Sequence, residues 1–139
     1  DIDISNNSII STIETAADPF IQIVDQATPS ITNNTFDSQS SDAENISITS
    51  TGTNCGAVTI SGNTMYSRAT VGHVIRVGSE ASTAGDNMLD GAVIENNVIY
   101  GALHYDSELV DVTVHSIFFG YNKNSFIRYN TVIGGGNGI

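Results

Sequence analysis

The hydrophobic positions of this chain fall into a short pattern that returns along its whole length. An Ile is followed by two residues, an Asn, one more residue and an apolar side chain. The pattern reads Ile4-Ser5-Asn6-Asn7-Ser8-Ile9, then Ile31-Thr32-Asn33-Asn34-Thr35-Phe36 and Ile60-Ser61-Gly62-Asn63-Thr64-Met65. It returns as Ile94-Glu95-Asn96-Asn97-Val98-Ile99 and Ile127-Arg128-Tyr129-Asn130-Thr131-Val132. The fixed asparagines Asn7, Asn34, Asn63, Asn97 and Asn130 are 27, 29, 34 and 33 residues apart. Such a period marks folds built by stacking one unit on the next. The Ile and the apolar residue after the Asn both suit a strand that faces a core. They are an odd number of positions apart, so a straight strand would send them to opposite faces. A bend between them returns both to the inside. Asn suits the bend, because it tolerates a left-handed backbone and hydrogen-bonds its own neighbours. Copies stacked one strand spacing apart, about 4.8 Å, place Asn over Asn, where side-chain amides pair up the stack.

A second β-like run follows each of the first four copies: Phe20–Val24, Asn45–Thr49, His73–Val77 and Val110–Val114. Alternation such as Ile46/Ile48 and Val112/Val114 predicts half-buried strands. Polar loops are expected over 37–44, 80–91 and 101–109, and no segment carries a helical period. The expected fold is all-β: one parallel, coiled-sheet domain over 1–139 with about five coils. A sandwich or jelly roll is the alternative, but nothing in those folds calls for an Asn bend at each repeat.

These five Ile-x-x-Asn-x-apolar units resemble the coils of the pectate-lyase-like, right-handed parallel β-helix superfamily, which carries an inward asparagine ladder at one tight bend. The resemblance implies fold more than function, since such coils occur in polysaccharide lyases, glycosidases, epimerases, tailspikes and adhesins. Both ends read as unfinished coils, with exposed strand edges and an open core. A fragment of a longer β-helix is therefore expected, or a subunit whose partners are further coils or neighbouring subunits stacked at the open ends.

Composition and charge narrow the partners. A formal charge of -11, from 4 Lys+Arg against 15 Asp+Glu, repels phosphate backbones and anionic membranes, so neither nucleic acid nor membrane is an expected partner. No stretch approaches the roughly 20 apolar residues of a membrane helix. The single Cys55 cannot form an internal disulfide and reads as a small buried apolar residue. Acidic, Lys-poor composition suits an extracellular setting or a virion or cell surface.

Candidate chemistry lies in the second half, because residues 1–65 contain no Lys, Arg, His or Tyr. Register alone stacks residues into columns. Three after each ladder Asn stand Ile10, Asp37, Tyr66, Tyr100 and Ile133, an outward column in which Tyr66 and Tyr100 are neighbours and could meet a sugar ring. Two before it stand Ser5, Thr32, Ser61, Glu95 and Arg128, which predicts a Glu95–Arg128 pair, either a surface ion pair or a grip for a sugar carboxylate. The segment His104-Tyr105-Asp106-Ser107-Glu108 is the densest titratable cluster. Its His104 or Tyr105 could remove a proton beside a uronate carboxylate neutralised by Arg128 or Lys123. Asp106, Glu108 and Asp111 could offer oxygens to calcium, but no calcium-loop spacing is present, so no metal site or cofactor is assigned. His73 and His115 flank apolar strands and read as structural. No Gly-His-Gly, paired catalytic aspartates, Asp-Pro-His or phosphate loop is found. The expected function is a carbohydrate-binding or structural β-helix, adhesin- or tailspike-like, whose partner is a polysaccharide. The alternatives are a polysaccharide lyase and an end-to-end filament subunit.

Overall fold

The computed structural model describes residues 1–12, 18–24, 28–39, 44–49, 56–78, 89–101, 114–120 and 122–134. Three parallel sheets carry most of these residues, beside a fourth of two short strands. The first has β1 (Ile2–Ser5), β4 (Pro29–Thr32), β7 (Thr59–Ser61), β11 (Val93–Glu95) and β15 (Phe126–Arg128) side by side. The second has β2 (Ser8–Ser11), β5 (Thr35–Ser38), β8 (Thr64–Ser67), β12 (Val98–Tyr100) and β16 (Thr131–Ile133). The third has β3 (Ile21–Val24), β6 (Ile46–Thr49), β9 (His73–Val77) and β13 (His115–Phe119). The chain visits the sheets in rotation and returns one strand further along each time, which is a parallel β-solenoid. No helix occurs among the described residues. Two sheets carry five strands and the third carries four, so the described residues fall slightly short of the five complete coils expected.

Register explains the core. Ile4, Ile31, Ile60, Ile94 and Ile127 pair in sequence across the first sheet, and Ile9, Phe36, Met65, Ile99 and Val132 across the second. The third contributes Ile21, Ile46, Ile75 and Ile117. On the middle coils these side chains are fully buried, each stabilising the fold by about 1.5–3 kcal/mol.

The asparagine ladder forms as the repeat predicts. Each ladder side chain from Asn7 to Asn97 donates from Nδ2 to Oδ1 of the next, at 3.1, 3.1, 2.9 and 2.9 Å. The same Oδ1 atoms accept the backbone N–H of the preceding ladder residue at 2.9, 2.9, 2.9 and 3.0 Å. From Asn34 onward, Nδ2 also donates to the carbonyl of the first-sheet Ile one coil back, for example Asn97 to Ile60 at 3.0 Å. Each buried amide is thus satisfied by its neighbours on the stack.

The bend is made by a different residue from the one expected. The left-handed position is the one before each ladder Asn: Asn6 (φ 59), Asn33 (φ 56), Gly62 (φ 68), Asn96 (φ 56) and Tyr129 (φ 57). The ladder Asn keeps an ordinary backbone and supplies the hydrogen bonds. Asn and Gly enter the left-handed region readily, but a Tyr there costs about 1–2 kcal/mol.

One further expectation is corrected. The segment 80–91 is not a loop throughout, because β10 (Leu89–Asp90) pairs with β14 (Asn122–Lys123) and Leu89 is fully buried. Strands of two residues are too short to leave an alternation in the sequence. The third-sheet strand beside His73–Val77 is His115–Phe119, with Val114 buried just before it. The rest of the β-like run expected over 110–114 lies outside the described residues.

Asn45 is the reverse of the ladder residues. It is completely buried just before β6, yet neither its Oδ1 nor its Nδ2 has a hydrogen-bond partner among the described residues. A buried amide without a partner opposes folding. Asn45→Val should therefore raise stability by about 1–3 kcal/mol in urea unfolding. A loss of stability would show that the amide is bonded to an interior water.

Candidate functional site

The two predicted side-chain pairs form, but on different sheets. In the second sheet Tyr66 and Tyr100 are register partners, with rings 4.9 Å apart and 7° from parallel. That separation is one strand spacing, so the rings stack along the solenoid axis. Their outer register neighbours are Asp37 and Ile133. What the half-buried pair shows to solvent is therefore ring edges and hydroxyls more than open faces. In the first sheet Glu95 and Arg128 are register partners, and Arg128 Nε donates to Glu95 Oε2 at 2.6 Å. The Asn bend separates this ion pair from the tyrosines.

The other candidate cation is engaged in the same way. Lys123 Nζ lies 3.3 Å from Asp90 Oδ2, and Asn124 Nδ2 donates to Asp90 Oδ1 at 2.9 Å. The Asn124 hydrogen bond and, after it, Lys123 hold the Asp90 carboxyl below the usual carboxylate value. A lowered folded-state pKa stabilises the fold above the ordinary carboxylate pKa, and the effect is lost as pH falls through the folded value. The Asp90 carboxyl should titrate by NMR below an exposed Asp, and Asn124→Ala should move it back toward the ordinary value. Arg76 reaches Glu44 at 3.6 Å. Charge on this surface is therefore arranged as pairs bridging neighbouring coils.

His73 and His115 are register partners in the third sheet, with ring centroids 5.1 Å apart, and Phe118 stacks on His73 at 4.4 Å. This is an aromatic cluster built into the strands. Of the remaining candidates, His104, Tyr105, Asp106, Ser107, Glu108, Asp111 and Cys55 lie outside the described residues. Among the described residues no three His, Cys, Asp or Glu side chains gather as a metal would require.

One exposed group is not foreseen from the sequence. Tyr129 is 76% exposed at the bend of the fifth coil, and the Arg128 guanidinium carbon lies 5.7 Å from its ring centroid. Phe126, on the same outward face of β15 as Arg128, is 58% exposed. A signal for it does exist in the aligned repeats: four copies place Asn or Gly before the ladder residue and the fifth places Tyr. Comparison of the chain with protein-family models, curated proteins and solved structures returns no match.

Proposed function

We propose that this chain forms a right-handed, pectate-lyase-like parallel β-helix displayed outside the cell or on a virion surface, where it acts as a shaft that contacts saccharide. The observation that carries the reading is the engagement of Arg128 and Lys123. A lyase needs a cation to neutralise the uronate carboxylate as the neighbouring proton leaves. Here both cations already face carboxylates, Glu95 at 2.6 Å and Asp90 at 3.3 Å. Paired charges and tyrosine hydroxyls suit hydrogen bonding to sugar hydroxyls, which asks for donors and acceptors side by side. The acidic, Lys-poor composition supports the surface setting.

A glycan-binding screen tests this, followed by titration of Tyr100→Ala and Arg128→Ala. Each should weaken binding about five- to tenfold, the range expected when a hydrogen bond to a sugar is lost. Affinity untouched by both changes would remove the saccharide role and leave a structural coil. Release of unsaturated uronate products from a polyuronate would instead establish the lyase.

A further inference from the structure

We infer that Tyr129, together with Arg128 and Glu95, forms a contact subsite for a neutral pyranose sugar at the bend of the fifth coil, an inference that rests on the saccharide reading above. The starting point is the backbone. In the left-handed column Asn6, Asn33, Gly62, Asn96, Tyr129, only the last is a residue type for which this conformation is a genuine outlier. The position faces solvent whatever lies beside it, because Asn96 is exposed with a coil on either side. A strained backbone that holds a ring 76% exposed gains nothing for the core. Strain kept at an exposed position is the kind of outlier that points to a contact made by that side chain.

The surroundings specify the ligand. Arg128 spends Nε on Glu95 Oε2, which leaves its terminal N–H groups and the second carboxylate oxygen for other partners. A donor and an acceptor side by side match two adjacent hydroxyls of a sugar ring. Beside them the Tyr129 ring, with the exposed Phe126 on the adjoining face, offers an apolar surface for the C–H face of a pyranose. The class is neutral because the Arg128 charge is already matched by Glu95 and the chain carries -11 overall. An acidic sugar would find no uncompensated cation and an adverse field.

The experiment uses an array of neutral and uronate-containing oligosaccharides, followed by titration of the best binder into the wild-type chain, Tyr129→Asn, Tyr129→Phe and Tyr100→Ala. Tyr129→Asn relieves the strained position, so its melting temperature should rise by about 3 °C or more while saccharide affinity falls about tenfold. Tyr129→Phe keeps the ring and should keep the affinity. A lower melting temperature for Tyr129→Asn, an unchanged affinity, or a preference for uronates would overturn the subsite. Affinity lost in Tyr100→Ala but kept in Tyr129→Asn would remove the subsite and leave the saccharide reading standing. A wild-type chain that binds none of the array would end both.

Discussion

Replacing Asn97 with Ala should cost about 2–6 kcal/mol of folding stability. The cost comes from the groups its side chain serves. Asn97 Oδ1 accepts the backbone N–H of Asn63 at 2.9 Å, and Asn97 Nδ2 donates to the Ile60 carbonyl at 3.0 Å. Both backbone groups belong to buried residues and would be left without these partners, at about 1–3 kcal/mol each. The ladder runs in one direction, with donors on each residue aimed at the Oδ1 of the next. Losses should therefore vary along it. Asn63→Ala should resemble Asn97→Ala. Asn7→Ala should cost about 1 kcal/mol or less, because Asn7 is exposed and its side chain, among the described residues, donates only to Ser5 and Asn34. Equal, small losses at Asn7 and Asn97 in denaturant unfolding would mean that the amides do not pair.

Gly78→Ala is the second large effect, at about 3 kcal/mol or more. Gly78 follows β9 with φ 99, and its backbone N–H donates to the Ile48 carbonyl at 2.8 Å. A Cβ built there would lie 1.7 Å from the Gly120 carbonyl oxygen and 2.9 Å from Asn122 Nδ2. The obstacle is backbone, so no side-chain rotation relieves it. The chain would have to move apart where the end of β9 meets the end of β13, releasing the Gly120 N–H to Val77 carbonyl bond of 3.0 Å. Gly72 is the control, since it shares a positive φ of 87 but has none of the described residues within 4 Å of the added atom. Gly72→Ala should cost only the backbone strain, about 1–2 kcal/mol. Similar midpoints for the two variants would refute the close approach.

The solenoid is legible in the sequence because one residue type performs the same task on every coil. With the five asparagines aligned, the outward columns follow by counting, and spacing alone makes register partners of Tyr66 with Tyr100 and of Glu95 with Arg128. The left-handed residue is harder to identify. Three copies read Asn-Asn, so either residue could make the bend, and only Gly62 points to the first of the two. Tyr129 follows no propensity; its one trace in the sequence is that it breaks the Asn-or-Gly column, and its left-handed backbone makes it informative in the fold. His115–Phe119 alternates less cleanly than Val110–Val114 and is fixed as a third-sheet strand by its pairing with His73–Val77. Counting does not show that the Asn bend turns the tyrosine column and the ion pair onto separate sheets.

Residue-resolved NMR of the labelled chain during saccharide titration decides whether this outward surface meets sugar. Shifts should concentrate on outward residues of coils three to five, at Tyr66, Glu95, Tyr100, Arg128 and Tyr129, while Ile60, Ile94 and the ladder asparagines of the interior hold still. Shifts centred on residues 1–65, or no response to any saccharide, would contradict it.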